Sequence, residues 1–126
     1  MRILLVDDFL TMRRVVRSLL HDMGFDDVAE AGDGSAALER LQGEMVDVVI
    51  TDMEMPTMNG FELLAAIKKD ERLKHLPVLM ITAEARKDDI VRAVQAGAAG
   101  YLVKPFARTV LEDRLRQIVP ASFAAA

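Results

Sequence analysis

Apolar runs suited to strands alternate five times with stretches of helical period along this 126-residue chain, and that alternation predicts an α/β fold. The fold is a doubly wound, five-stranded, mainly parallel sheet covered on both faces by five helices and joined by right-handed crossovers. Two further observations set the strand order. The runs at residues 3–6, 48–50 and 78–81 are continuously apolar, as strands buried on both faces are. Val28-Ala29-Glu30-Ala31 and Gly100-Tyr101-Leu102-Val103 are more mixed, which sends the second and fifth strands to the edges and gives the order 2-1-3-4-5.

Each element has its own signal. Ile3-Leu4-Leu5-Val6 forms the first strand and ends at Asp7-Asp8. Met12, Val15, Val16, Leu19 and Leu20 then recur at i, i+3, i+4, i+7 and i+8, a helix with one buried stripe. On that helix Arg13, Arg14 and Arg17 cluster, and the simplest reading of them is a solvated face. After the second strand, Asp33-Gly34-Ser35 offers a cap for the next helix. Val48-Val49-Ile50 is followed by Asp52, and Asn59-Gly60 precedes a helix whose Phe61, Leu64, Ala65 and Ile67 approximate an apolar stripe. Val78-Leu79-Met80-Ile81 leads to Thr82; Lys87-Asp88 offers a cap for the fourth helix, and Gly97 suits a position just beyond its end. The fifth strand ends at Lys104. Pro120 to Ala126 lie beyond the last helical pattern, so the chain is read as one domain over 1–119 and a C-terminal tail over 120–126, either a short disordered end or the start of a linker.

Composition bounds the function. Hydrophobic residues make up 52% and charged residues 29%, which fits a globular domain able to bury a core without staples. Apolar runs are too short to span a bilayer, and Asp7 and Asp8 interrupt the start before a signal-peptide core can form; a cytoplasmic protein without membrane insertion is expected. Cysteine is absent, excluding disulfides, thiolate nucleophiles and cysteine-based zinc sites. Twenty acidic against sixteen basic side chains give a net charge of -4, which argues against a nucleic-acid partner held by phosphate contacts.

Parallel strands bring Asp7, Asp8, Asp52, Thr82 and Lys104 to one sheet edge, at the switch point where open α/β sheets place their sites. Taken singly, Asp8, Asp52 and Thr82 read as caps or turns, Lys104 as a surface cation and Tyr101 as an edge aromatic. Together at successive strand ends they read as a site. Three converging carboxylates repel, so the pocket either holds a proton or recruits a hard cation. Mg²⁺ fits, because it takes oxygen ligands and is commonly held by one or two carboxylates plus a phosphate. Asp8 and Asp52 are the expected direct ligands, with Asp7 acting through water and the backbone carbonyl of Glu54 completing the protein's share. Lys104 and Thr82 would face an oxyanion near Asp52, which makes this a phosphoryl-transfer site.

Val6-Asp7-Asp8-Phe9, Thr51-Asp52-Met53 with Met55-Pro56 and Asn59-Gly60, Pro77 through Glu84, and Gly100 through Phe106 resemble the receiver domain of two-component signalling, from Arg2 to about Val119. The likeness is greatest to single-domain chemotaxis regulators of the CheY type, a flavodoxin-like fold. A member of that family is itself a standard example of the 2-1-3-4-5 order, so the order is not independent of the resemblance. The resemblance implies that Asp52 is the phosphoacceptor for a histidine kinase or small phosphodonor, that Mg²⁺ is required, and that Thr82 and Lys104 contact the phosphoryl oxygens. It implies that Tyr101 turns from exposed to buried, altering a docking face built by the fourth helix, fifth strand and fifth helix, and that Lys104–Pro105 is cis. The downstream target would be another protein, such as a flagellar motor component; a phosphorelay intermediate and a phosphorylation-independent scaffold are the alternatives. Glu84 and Glu54 would tune phosphoryl loss. Glu54 departs from the asparagine of the best-known chemotaxis regulators, so neither the phosphoryl lifetime nor the response to a phosphatase carries over.

Other readings are weaker. A phosphatase of the haloacid dehalogenase type needs Asp-x-Asp after its first strand, where this chain has Asp7-Asp8-Phe9. A flavin site would meet an acidic first loop without glycine. Met53, Met55 and Met58 read as packing, since no histidine or cysteine lies among them, and His21 and His75 are assigned no role.

Overall fold

In the computed structural model, which describes residues 1–84 and 86–119, the chain runs β1 (Ile3–Val6), α1 (Leu10–Asp22), β2 (Val28–Ala31), α2 (Gly34–Gly43), β3 (Val48–Asp52), α3 (Gly60–Lys69), β4 (Val78–Thr82), α4 (Lys87–Gln95), β5 (Gly100–Val103) and α5 (Arg108–Ile118). All pairings are parallel and the order is β2-β1-β3-β4-β5, as expected. Strands β3 and β4 extend to include Asp52 and Thr82 as their last residues. The tail assigned to 120–126 lies outside the described residues.

Strand alternation divides the core into two layers. Ile3, Leu5, Val48, Ile50, Leu79 and Ile81 face α1 and α5, where they meet Val16, Leu20, Leu111 and Leu115. Leu4, Val6, Val49, Val78 and Met80 face the other way onto α2, α3 and α4. Both faces of the central strands are therefore dry, which is why their sequences show no polar alternation. Met53 and Met55 are buried in the second layer and Met58 packs against it, the packing role expected of them.

Side-chain caps start two of the helices, α2 and α3, while α1, α4 and α5 begin without one. The Asp33 carboxylate accepts from the Ala36 N–H at the start of α2, and Asn59 and Glu62 close a reciprocal capping box on α3. Gly97, with φ +94°, follows α4 in the left-handed conformation that glycine adopts at low cost. The cap expected at Lys87-Asp88 is not one: α4 starts at Lys87, its N-cap is Arg86, and no side chain caps it. Asp88 and Asp89 instead lie in the first turn, where their charge favours the helix dipole.

Two stripes differ from what periodicity predicts, that of α1 being narrower and that of α3 shifted from Ala65 to Leu63. Val15 is exposed while Val16 and Leu20 are buried, and Ala65 is exposed while Leu63, Leu64 and Ile67 are buried. A fully covered flank needs a neighbouring helix, and periodicity alone does not say on which side it lies. The arginine cluster also differs from a solvated face. Arg13 and Arg17 both pair with Glu30 on β2, at 3.0 and 2.5 Å, and Arg14 alone of the three is exposed without such a pair among the ion pairs seen. Burial pulls the Glu30 carboxyl upward, but hydrogen bonds and charge from Arg17 and Arg13 outweigh it and hold it below its usual range.

Candidate functional site

Register builds the site. Val6 lies opposite Thr51, so the next residues, Asp7 and Asp52, sit side by side at the ends of β1 and β3. Asp52 lies opposite Ile81, and Thr82 opposite Val103. The Lys104 N–H then donates to the Thr82 carbonyl at 2.8 Å, which places Lys104 one step past β5 at the same edge. Its ammonium reaches back between two carboxylates, 3.3 Å from Asp7 Oδ2 and 3.4 Å from Asp52 Oδ2. The Lys104–Pro105 peptide is cis.

The three acids differ in environment. Asp7 is buried, its Oδ1 accepting from the Phe9 N–H at 2.9 Å and its Oδ2 facing Lys104. Asp8 is exposed and Asp52 is half-buried. Carboxylate oxygens of Asp7, Asp8 and Asp52 all lie within 4.8 Å of one another, a hard-oxygen set that fits a small divalent cation such as Mg²⁺. Burial pushes the Asp52 carboxyl up; Lys104 opposes this, the Asp7 charge adds to it, the Glu54 N–H opposes it, and the net direction is upward. Glu54 therefore touches Asp52 through its backbone, while its side chain is exposed.

A cavity of about 150 Å³ opens over Asp52, lined by Glu54, Thr82, Ala83 and Glu84. Thr82 is buried, and its hydroxyl is engaged within its own loop, donating to the Glu84 carbonyl at 2.9 Å and accepting from the Glu84 N–H at 3.2 Å. Arg86 pairs with the Glu84 carboxylate at 2.7 Å. Tyr101 is half-buried and packs against the second core layer. Beyond it, Val91, Val94 and Val110 are exposed on α4 and α5.

The end of β3 is held from behind by α3. The Gly60 N–H donates to the Met53 carbonyl at 3.0 Å, and a Cβ at Gly60 would stand 2.3 Å from the Asp52 carbonyl oxygen and 3.0 Å from Met53 Cα. Both are backbone atoms, so relief requires moving the strand that carries Asp52. Gly60→Ala is expected to cost about 1–3 kcal/mol, as overpacking does, and to lower the melting temperature by about 4 °C or more. A melting curve superimposable on wild type would show that α3 retreats freely.

The sequence pattern described as response regulator receiver domain matches residues 3–116. This chain belongs to that family. The receiver domain is 54% identical over 118 residues to the chemotaxis protein CheY of Pseudomonas aeruginosa, covering 94% of this chain and 95% of that protein. It is also 54% identical over 118 residues to the chemotaxis protein CheY-3 of Vibrio cholerae, covering 94% and 91%. Among solved structures, Vibrio cholerae CheY4 matches with a TM-score of 0.87 at 36% identity over 94% of this chain and 98% of that one. The receiver domain of a signal transduction histidine kinase from Syntrophus aciditrophicus matches with a TM-score of 0.86 at 27% identity, over 95% and 90%.

The structure thus brings together Asp7, Asp8, Asp52 and Lys104, places Thr82 and Glu84 on the cavity wall, and leaves Tyr101 on β5, packed against the second core layer. Two residues of the receiver domain escaped the sequence reading. For Gly60 the sequence offers a turn before a helix and a place in the receiver-like motif, but not its close approach to the strand that carries Asp52. Arg13 was assigned to solvent, yet its Nη1 donates to the Asp7 carbonyl at 2.6 Å; the available signal was Glu30, the one charge in the β2 run Val28–Ala31.

Proposed function

We propose that this receiver domain is a phosphorylation-activated switch whose Asp52 accepts a phosphoryl group from a phosphohistidine on a kinase or from a small phosphodonor. The observation that carries this reading is the placement of a half-buried Asp52 between a lysine and a second and third carboxylate. A carboxylate oxygen of Asp52 attacks phosphorus, the P–N bond breaks, and its electron pair stays on the departing imidazole, leaving an acyl phosphate. Asp8 and Asp52 would hold Mg²⁺ directly, Asp7 through water and Glu54 through its carbonyl; when bound, the ion supplies charge neutralisation between the acids and the phosphoryl oxygens. Lys104 turns its ammonium from the Asp52 carboxylate toward the phosphoryl group, and Thr82 exchanges its Glu84 carbonyl partner for a phosphoryl oxygen.

That exchange is the proposed switch. Releasing the Thr82–Glu84 turn shifts the loop leading into α4, a helix whose one fully buried residue is Ala93. Tyr101 then has room to pack inward, and the face of α4, β5 and α5, with Val91, Val94 and Val110 exposed, changes its fit to a protein target. Driving a two-state equilibrium from 1:99 to 99:1 takes about 5.5 kcal/mol, and charge-assisted bonds at Thr82 and Lys104, about 1.5–3 kcal/mol each, supply much of it. Similarity to chemotaxis proteins supports a chemotaxis output, with a flagellar motor component as one target. No helix of the described residues is long and apolar enough to cross a membrane; a cytoplasmic location is part of the proposed reading and rests on the similarity to chemotaxis proteins.

Intact-mass measurement after incubation with a small phosphodonor, with Mg²⁺ or with EDTA, tests the reading. Gain of one phosphoryl group only with Mg²⁺ is the expected result. A folded, metal-binding protein that gains none would overturn it and favour constitutive docking as a scaffold.

A further inference from the structure

We infer that Arg13 is a positioning residue for the acidic cluster, fixing the Asp7–Asp8 peptide so that both carboxylates face the metal position. The inference rests on the reading of Asp7, Asp8 and Asp52 as an Mg²⁺ site and names how this chain holds that site in shape.

Strand pairing explains the need. The Asp7 N–H donates to the Ala31 carbonyl at 3.2 Å, continuing the β1–β2 ladder one residue past its last paired position. There β2 stops: Ala31 is its last residue, and Asp33 already caps α2. The ladder therefore no longer fixes the carbonyl side of Asp7. Arg13 does so, with Nη1 donating to that oxygen at 2.6 Å while Nε donates to Glu30 Oε1 at 3.0 Å. Glu30 in turn is held by Arg17. A guanidinium serves both acceptors because its donors project in a rigid plane; its side chain is 17% exposed, so water competes poorly for the bonds. Rotation of the Asp7–Asp8 peptide would swing Asp8, the exposed member of the cluster, away from Asp7 and Asp52.

Charge and position make opposite forecasts. A cation beside the cluster repels Mg²⁺, so on charge alone removing it strengthens metal binding; a lost support for the ligand loop weakens it, as loss of such outer contacts does by about 10–100-fold. Calorimetric titration of the full chain with MgCl₂ separates them. Arg13→Ala and Arg13→Lys are both expected to weaken binding about tenfold, the lysine keeping the charge but not the paired hydrogen bonds to the Asp7 carbonyl and Glu30, and Glu30→Gln by a smaller factor. Arg14→Ala, which removes the same charge from an exposed position of the same helix, is expected to bind like wild type or slightly tighter. Metal-free melting curves check that each variant is folded at the titration temperature, and Arg13→Lys and Glu30→Gln decide the matter should Arg13→Ala not fold. Equal or tighter binding by folded Arg13 variants beside a normal wild-type titration would overturn the role of Arg13 alone. Absence of Mg²⁺ binding by wild type would overturn the site reading and this inference with it.

Discussion

Asp52→Asn is expected to take up no phosphoryl group and, in metal-free buffer at pH 7, to melt at a higher temperature than wild type. Loss of the phosphoryl gain follows from the proposed chemistry, since an amide is a poor nucleophile toward phosphorus. The rise in stability follows from electrostatics. Burial raises the Asp52 carboxyl in the fold even with Lys104 opposing it, so the folded protein binds this proton more tightly than the unfolded chain does. Stability therefore falls as pH rises from the unfolded value, about 3.9, through the raised folded value, and the full cost persists above that. Asparagine keeps the shape and removes the charge. A gain of a few degrees at pH 7 that closes as the pH falls toward about 4 is the expected pattern in thermal melts with EDTA. Equal melting temperatures at pH 7, or a gap that widens on acidification, would contradict it. Saturating Mg²⁺ is expected to narrow the gap, because the ion stabilises the folded wild type by binding it.

The same physics explains which parts of the protein were legible in the sequence. Strands β1, β3 and β4 announce themselves because a strand covered on both faces has no use for polar residues, and their ends mark the site because a parallel register aligns them. Asp7, Asp8, Asp52 and Lys104 converge as read for that reason. Val15 and Ala65 were misjudged because a helical period gives the run of a stripe and leaves its flanks to the neighbouring helix. Lys87-Asp88 failed as a cap because a favourable residue type fixes no dihedral angle. Arg13 failed for a different reason: its partners, the Asp7 carbonyl and Glu30, lie on other elements, and a backbone oxygen left over where a ladder ends has no signature in the residue types. Thr82 was located correctly, but its bond to the Glu84 carbonyl depends on loop backbone geometry that sequence does not encode locally.

That bond bears on how far the site is from readiness. Lys104 already touches Asp52, so its charge needs only a short reorientation, whereas Thr82 must give up the hydrogen bond it donates to the Glu84 carbonyl. Movement is cheap on the α4 side because α4 buries little. Its outer contact is the Arg92 guanidinium over the Phe61 ring, 4.0 Å from the centroid, an interaction worth about 0.5–1 kcal/mol at exposed positions. Elements held this lightly are the ones that move in switches.

Lys104→Met tests the electrostatic centre directly, with two readouts that move in opposite senses. Lys104, Asp7 and Asp52 have side chains 15%, 6% and 12% exposed, so solvent screens their interaction weakly. Removing the ammonium leaves the carboxylates of Asp7, Asp8 and Asp52 gathered without a cation among them. The metal-free variant is expected to lose about 3 kcal/mol, the lower end of the cost of breaking a buried pair, even though methionine fills similar space. Mg²⁺ affinity is expected to rise, because the lysine competes with the ion for the same oxygens. By linkage, a tighter-binding variant gains more stability at a given Mg²⁺ concentration. Thermal melts of wild type and variant across an Mg²⁺ series should show a low starting point and a steeper rise for the variant, the two curves converging at high metal. Parallel curves would mean that Lys104 and the ion do not share the acids, which would remove the basis for handing Lys104 from Asp52 to a phosphoryl oxygen during the switch.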